Sequence, residues 1–410
     1  MNFKYVCNDC GAEYSSDEIR YTCPKCESKN NDKEFRFGNL NVVFDEGELR
    51  ALAGKRNLKP QDFFPYRLKD DKPFPVALTP IVKPLGASKK LGLKNLSFKL
   101  DCQLLSGSFK DRASQAVIAQ AQAFKQKKIA LASTGNAGAA MSAIGAAYGM
   151  EIVLFVPERA PVNKLMQSIL YGATVVPVKG TYDDAFALSI CYTKNFGGIN
   201  RNTAYNPITI EGKKSVSIEL YNQMGKKVPD VVYVPVGDGC IISGVAKGFV
   251  DLRDAGMIDH LPHIVAVQST ASNAIAQAFE TGKFLNLDAA TTIADSISVA
   301  SPAAGRQAVM RIRESEGWCV QVSDNEIKAA QLALARDCGV FAEPAASASY
   351  AGLLKDRDSL VEKFGKDVNV LCLLTGTAFK DMKVFDKAVK MPASIDNSED
   401  AVLARFSKGR

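Results

Sequence analysis

The sequence predicts an α/β protein in which two doubly wound parallel-sheet domains follow a small N-terminal zinc ribbon. Three observations indicate this class. Apolar runs alternate with helix-like stretches from about residue 79 onward, two Cys-x-x-Cys pairs stand near the N-terminus, and 410 residues suffice for two or three domains. An apolar content of 47% allows a chain of this length to bury a large core.

The ribbon is predicted from the four N-terminal cysteines, which form CNDC at 7–10 and CPKC at 23–26 with twelve residues between the pairs. Two such pairs bring four thiolates to the corners of a tetrahedron, which suits a structural Zn²⁺ with no position left for water. We therefore expect a zinc ribbon over residues 1–30, with the metal bound by Cys7, Cys10, Cys23 and Cys26. The alternative is a pair of redox-active dithiols, but no βαβ redox pattern lies near either pair.

A linker follows the ribbon. Residues 31–78 begin with a polar stretch and a short strand-like NVVF, and then become rich in Pro, Phe and Lys. This composition predicts a segment that wraps a larger body. At the other end, residues 391–410 form a polar C-terminal tail.

Three strands of the main body are predicted from continuous Val, Ile and Leu runs, namely KIALA at 128–132, DVVYVPV at 230–236 and NVLCLL at 369–374. Such runs are typical of strands buried on both faces of a parallel sheet. Ligands bind beyond the carboxyl ends of these strands, so the loops STGN, GDGC and TGT that follow them are expected to line one site. GDGC can cradle a phosphate with its backbone N–H groups, although a plain glycine-rich turn explains it equally well.

Composition excludes several partners. No apolar run reaches the roughly 18 residues of a membrane helix, and the N-terminus lacks a signal-peptide pattern, so we expect a cytoplasmic protein without membrane contact. The net charge is +7, but basic and acidic residues are interspersed, which favours a solvated surface over nucleic-acid binding.

Lysine is the most plausible chemical centre, because only two histidines are present and neither a dinucleotide nor a nucleoside-triphosphate glycine motif appears. Lys110 stands in SGSFKDRA, where small residues meet a predicted helix start. Loss of water and the positive end of the helix dipole both favour the neutral amine there. By itself, this octapeptide also fits an ordinary exposed lysine near a helix cap.

From about residue 79 to 383 the chain resembles the fold type II pyridoxal-phosphate enzymes. The matching segments occur in the family's order: LTPIVK, SGSFKDRA, STGNAGAA, GDGC, EPAAS and LLTGTAFKD. The resemblance implies pyridoxal 5'-phosphate as cofactor, an amino acid as the small-molecule substrate, and a homodimer.

The resemblance also implies roles for individual residues. Lys110 would form the Schiff base with the cofactor and move protons, Asn136 would contact the ring hydroxyl, and Thr375 would meet the pyridine nitrogen. The cofactor phosphate would be bound by Gly237, Asp238, Gly239, Cys240 and Ile241, and the substrate by Ser133, Thr134 and Asn206.

Within this family the chain is most similar to the threonine synthase group, for example in NPITIEGKKS at 206–215. Such an enzyme, a carbon–oxygen lyase, converts O-phospho-L-homoserine and water to L-threonine and phosphate. Two departures stand out: the family often has an arginine where Thr209 stands, and G-N-G-G-N where this chain reads GDGCI. The alternatives are a related lyase acting by β-elimination or β-replacement on another amino acid, as in threonine or serine dehydratase or in cysteate or diaminopropionate synthesis, and an inactive regulatory relative.

The domain organisation follows from these assignments. A large cofactor domain is expected over residues 79–118 plus 206–390, and a small mobile α/β domain over 119–205 is inserted into it. By the same resemblance, the small domain closes over the substrate and excludes water.

Overall fold

The structure is a computed structural model that describes residues 1–76, 78–382 and 391–407. It divides into two units, Met1–Lys380 and Asp381–Arg410, of which the second contains one described helix. Three stretches named in the expected domain organisation lie outside the described residues: position 77 of the linker, 383–390 of the large domain and 408–410 of the tail.

The strands, in chain order, are β1 (Phe3–Cys7), β2 (Glu13–Ser15), β3 (Leu40–Phe44), β4 (Ile81–Val82), β5 (Asn95–Leu100), β6 (Lys128–Ala132), β7 (Glu151–Pro157), β8 (Thr174–Val178), β9 (Ile199–Asn200), β10 (Val231–Pro235), β11 (His263–Ser269), β12 (Cys319–Val322) and β13 (Asn369–Leu374). Val, Ile and Leu dominate the interior strands, because β-branched and apolar side chains pack well on a buried pleated surface.

The α-helices are α1 (Pro24–Glu27), α2 (Glu46–Ala51), α3 (Leu85–Leu91), α4 (Lys110–Ala123), α5 (Asn136–Ala147), α6 (Val162–Leu170), α7 (Tyr182–Phe196), α8 (Ile208–Lys213), α9 (Ser215–Gln223), α10 (Cys240–Asp254), α11 (Ala274–Thr281), α12 (Gly305–Glu314), α13 (Asp324–Cys338), α14 (Pro344–Phe364) and α15 (Glu399–Phe406). Across the described residues, none of these helices combines the length and the apolar character needed to cross a membrane.

The N-terminal sheet has the strand order β2-β1-β3 and is antiparallel. The strand predicted from NVVF is confirmed as part of β3, which pairs along the whole length of β1 from Phe3↔Phe44 to Cys7↔Leu40. This sheet therefore extends beyond the predicted ribbon boundary at residue 30 into the segment predicted as a linker.

The largest sheet has six strands in the order β12-β11-β10-β13-β5-β4. All neighbours are parallel except β4, which pairs antiparallel with β5 at the edge. Its central strand β10 is buried throughout, as the apolar run predicted. The prediction of an α/β fold with parallel sheets is confirmed.

A second parallel sheet has four strands in the order β8-β7-β6-β9. All four lie within 119–205, and all six strands of the larger sheet lie outside that range. The residue boundaries of the two domains stay predictions.

A buried group of charged residues holds the first turn of α4 in place. The Arg112 guanidinium donates to both carboxylate oxygens of Asp101, at 2.6 and 2.9 Å, and to Glu219 on α9 at 2.9 Å. Lys99 on β5 also pairs with Glu219, and all four side chains are nearly inaccessible to water. Because buried charges need partners, this network ties α4 to β5 and α9 and thereby positions the first turn of α4, which begins at Lys110.

Candidate active site

Lys110 is the first residue of α4 and is half-buried. The turn before it is closed by Asp111, whose carboxylate accepts hydrogen bonds from the backbone N–H and the hydroxyl of Ser106. Loss of hydration lowers the pKa of the Lys110 ammonium, with a smaller lowering from Arg201, against the opposing effect of Glu343. This shift increases the share of the neutral amine, which is the form suited to nucleophilic and proton-transfer chemistry.

The loop that carries Lys110 is attached to the loop after β13. The backbone N–H of Phe109 donates to the carbonyl of Thr375 at 2.7 Å, and that of Thr377 donates to Gly107 at 3.0 Å. Ser108 pairs with Gly376 between these two bonds. Two segments more than 260 residues apart in the sequence are therefore joined beside Lys110, as expected for strand ends of one parallel sheet.

Glu343 connects this pair of loops to the loop after β6. Its carboxylate, 4% exposed, accepts from the Asn136 amide, with both oxygens 3.2 Å from Nδ2. Gly376 lies so close that a Cβ there would come within 2.4 Å of Glu343 Oε1. Glycine at 376 is thus required by the close approach of the carboxylate, which also faces Lys110.

The loop GDGC after β10 forms a third side of the site around Lys110. Gly239 precedes α10 with φ +83°, a left-handed conformation that favours glycine, and a Cβ on Gly237 would approach Ile297 Cα to 2.8 Å. Asp238 is half-buried, and burial raises the pKa of its carboxyl. With glycine at the N-cap, no side chain covers the first N–H groups of α10, which favours an anion at that point.

The residues present fit pyridoxal phosphate. The Ser108 hydroxyl is buried beside Lys110 without a hydrogen-bond partner among the described residues. A buried unpaired hydroxyl is costly, and a polar ligand would satisfy it. Lys110 supplies the amine, the small residues of GDGC leave room for a phosphate, and Asn136 and Thr375 lie on loops that border the lysine.

The three residues predicted to bind substrate differ in their surroundings. Ser133 and Thr134 lie in the same turn as Asn136, where the Ser133 hydroxyl accepts from the N–H groups of Gly135 and Gly138. Asn206 is fully buried just before α8. Its amide donates to Gln120 and to the carbonyl of Asn200, and its oxygen accepts from the N–H of Ile208. These contacts stabilise the chain before α8 and do not support a substrate-binding role for Asn206.

Sequence reasoning did not assign a role to two buried cations at this site. Arg201 and Lys213 are both inaccessible to water. Arg201 lowers the pKa of Lys110, and Lys110 in turn lowers the pKa of Lys213. Burial lowers the pKa of Arg201 to about 10 and that of Lys213 to about 7. Lys213 lies in NPITIEGKKS and Glu343 begins EPAAS, but sequence reasoning gave neither residue a role, and Arg201 lies in no motif; only the fold places them at the site.

The four N-terminal cysteines are brought together, with all four Sγ atoms within 4.8 Å of one another. Cys7 Sγ lies 3.8 Å from Cys26 Sγ, and Cys10 Sγ lies 3.6 Å from Cys23 Sγ. Three of the four are buried and Cys10 is exposed. Clustered thiols of this kind fit a tetrahedral metal such as Zn²⁺.

Comparison with known proteins agrees with this geometry. Residues 74–376 match the protein family described as pyridoxal-phosphate dependent enzymes. A threonine synthase of Methanosarcina acetivorans is 33% identical over 98% of this chain and 99% of its own, and one of Methanocaldococcus jannaschii is 32% identical over 98% of each. Maize serine racemase superposes with a TM-score of 0.68 over 84% of this chain and 96% of its own, at 22% identity, which shows a common fold.

Proposed function

This chain belongs to the family of pyridoxal-phosphate dependent enzymes, and from that premise we propose that it converts O-phospho-L-homoserine and water to L-threonine and phosphate. The observation that carries this proposal is the similarity to threonine synthases from end to end, which includes the N-terminal region as well as the cofactor domains.

Lys110 is the proposed catalytic residue. When bound, pyridoxal phosphate withdraws electrons from the bonds at Cα of an amino acid, so that protons at Cα and Cβ can be removed and replaced. Lys110 would hold the cofactor covalently through Nζ and then carry protons. Its lowered pKa favours the neutral amine, which is the form that accepts a proton.

The other cofactor contacts are proposed from the same loops. Asn136 would orient the ring from one side, and Thr375 would meet the pyridine nitrogen with a neutral hydroxyl. The backbone N–H groups of residues 237–241 would bind the phosphate at the start of α10. The Glu343 carboxylate accepts a hydrogen bond from Asn136 and faces Lys110.

Ser133 and Thr134 are proposed to bind the substrate carboxylate. Both lie at the turn between β6 and α5, where backbone N–H groups of a helix start add to their hydroxyls. This turn follows a strand of the four-stranded sheet, which lies in the proposed small domain, residues 119–205. Closure of that domain would bring the turn toward Lys110 and exclude water from the reacting atoms.

We also propose that Cys7, Cys10, Cys23 and Cys26 bind one structural Zn²⁺, because their sulfur atoms already lie at the distances of a shared metal. A cytoplasmic homodimer is proposed from the family resemblance, and light scattering of the purified protein would determine its mass.

The proposed reaction is tested by its product. Purified protein loaded with pyridoxal phosphate should release inorganic phosphate and L-threonine from O-phospho-L-homoserine, and Lys110→Ala should lose both this activity and the visible absorption of the lysine-bound cofactor. Lys227→Ala, at an exposed position, is the matched control.

A second reaction is favoured by one observation: Thr209 stands where an arginine is frequent in the family, and it is fully buried. The second candidate is a related lyase that acts on another amino acid. If that amino acid is threonine, β-elimination would form 2-oxobutanoate. Detection of that product, with no phosphate released from O-phosphohomoserine, would overturn the synthase assignment.

A further inference from the structure

Three lysines of the described chain are fully inaccessible to water, and they differ in their partners: Lys99, Lys213 and Lys214. Lys99 pairs with Glu219, and Lys214 pairs with Glu211 and Asp251. Lys213 has one hydrogen-bond acceptor among the described residues, the carbonyl of Thr209 at 2.9 Å. A buried ammonium bound only to a neutral carbonyl is costly, which indicates that an anion joins it in the working protein.

The fold directs Lys213 toward the start of α10. Lys213 ends α8, which packs on α10 at Gly244, where a Cβ would come within 2.5 Å of the Lys213 Cβ. Glycine at 244 thus allows the lysine to lie against the first turns of α10. Burial lowers the pKa of Lys213 to about 7, and the next largest influence comes from Cys240, the first residue of α10.

Two buried cations at this point lack a salt bridge among the described residues, namely Lys213 and Arg201. Carboxylates do face the nearby Lys110, from Glu343 and Asp238, and Asp238 faces Lys213 as well. Burial raises the pKa of the Asp238 carboxyl, which disfavours its charged form. The N–H groups at the start of α10 add further positive potential. A dianion such as a phosphate monoester would compensate these charges.

We propose that Lys213 binds the phosphate group of the cofactor, adding a charged contact to the backbone N–H groups at the start of α10. The inference rests on the cofactor assigned above and adds a residue to its binding site. Lys213 thereby becomes a determinant of the preference for pyridoxal phosphate over pyridoxal, which carries the same aldehyde without the phosphate.

Equilibrium binding of pyridoxal phosphate and of pyridoxal to the cofactor-free protein tests the proposal, with visible absorption as the readout. Lys213→Gln should weaken binding of pyridoxal phosphate by about 10- to 100-fold, the usual effect of losing a charge-assisted hydrogen bond, and should leave pyridoxal binding within about twofold. Lys213→Met should behave in the same way, and Lys227→Gln, which removes an exposed charge, should change neither.

Two results would overturn the proposal. Equal weakening of both compounds would indicate that Lys213 only supports the fold. Unchanged binding of pyridoxal phosphate with a raised KM for O-phosphohomoserine would assign Lys213 to the substrate. The proposed reaction is tested separately, because phosphate-selective binding that depends on Lys213, without threonine formation, would refute the reaction and leave this inference standing.

The wild-type protein provides a second measurement if neither variant folds. The ratio of the two affinities should fall as the pH is raised from about 7 to about 9, because Lys213 loses its proton in this range, whereas the second ionisation of the phosphate, with a pKa of about 6, is nearly complete at pH 7. Four other titratable groups face Lys213, namely Lys110, Arg201, Cys240 and Asp238. Lys110 reacts with both compounds and does not distinguish them. Arg201 has a pKa of about 10, Cys240 has a pKa of about 12, and the pKa of Asp238 is raised. A ratio that does not change with pH would count against the proposal.

Discussion

At the scale of single residues, Lys110 and Lys213 show how burial alters a lysine. Loss of hydration lowers the pKa of both, because the charged form is solvated less well inside the protein. Lys110 is partly accessible and faces Glu343, whereas Lys213 is fully enclosed. The first is therefore suited to react with a substrate, and the second to bind a fixed anion.

The lowered pKa of Lys213 predicts a pH-dependent stability of the cofactor-free protein. Its pKa is about 7 in the folded state and 10.5 in the reference state, so between these values the unfolded chain binds more protons and stability rises with pH. The penalty for the buried charge is fully present below pH 7. In urea unfolding, the free energy of unfolding of Lys213→Met should therefore exceed that of the wild type most at or below pH 7. The difference should shrink toward pH 10.

Lys227→Met is the control for that measurement, since an exposed lysine should give no pH-dependent difference. A constant difference between wild type and Lys213→Met from pH 6 to 10 would show that the ammonium of Lys213 is not destabilised in the folded protein.

At the scale of secondary-structure elements, the site depends on where strands end and helices begin. The loops after β6, β10 and β13 contribute Asn136, GDGC and Thr375, and α4 begins with Lys110. Contacts across these loops are close: Gly376 leaves no space for a Cβ beside Glu343. Precise spacing of this kind requires small residues at particular positions.

Gly376→Ala should displace the Glu343 carboxylate, because the added Cβ would lie 2.4 Å from its oxygen. We expect a loss of about 1–3 kcal/mol in the free energy of unfolding, the usual range for an overpacked site, together with weaker retention of the cofactor. Thermal unfolding and cofactor release on dialysis measure the two effects. Gly54→Ala is the matched control, since no atom lies within 4 Å of a Cβ there, and equal behaviour of the two variants would contradict the steric argument.

Arg112 provides a test of the network that positions α4. Replacing it with Met leaves the carboxylates of Asp101 and Glu219 buried with fewer partners, so chemical denaturation should show a loss of about 3–5 kcal/mol. Arg50→Met breaks an exposed pair with Glu46 and should cost less than about 1 kcal/mol. A similar small loss for both variants would mean that α4 is held mainly by apolar packing.

At the scale of the whole molecule, the N-terminal region is part of the main unit. Residues Met1–Lys380 form one compact unit, and the buried cluster that contains Cys7, Cys23 and Cys26 also includes residues from the strands of both parallel sheets. Loss of the proposed zinc is therefore expected to affect more than the first 44 residues.

Removal of the metal should destabilise the protein. We expect one zinc per chain by elemental analysis, its loss in Cys23→Ser, and a lower Tm for that variant and for chelator-treated wild type, because structural zinc contributes folding free energy. Cys191→Ser, at an exposed cysteine outside the cluster, should keep both the zinc and the Tm. A metal-free wild type with an unchanged Tm would refute the structural role.

Much of the fold could be predicted from the sequence. The runs at 128–132, 230–236 and 369–374 became β6, β10 and β13 within a residue of their predicted bounds, because a short continuous apolar run bounded by turn residues can be recognised in the sequence. The family was also identified correctly from ordered motifs. The roles assigned to the site residues stay predictions, and for Asn206 the hydrogen bonds point to a structural role.

By itself, the sequence determined the fold class, the family, the position of Lys110 at a helix start and the grouping of the four N-terminal cysteines. Each of these depends on residues close together in the chain or on motifs read in order. Only the tertiary structure decided which charges meet. Lys213 looks like an ordinary basic residue until α8 packs on α10 at Gly244, and Arg201 does so until the chain after β9 lies against Ser114 of α4; both are then inaccessible to water. Burial and partners depend on contacts between distant segments, and these determine the protonation of a lysine.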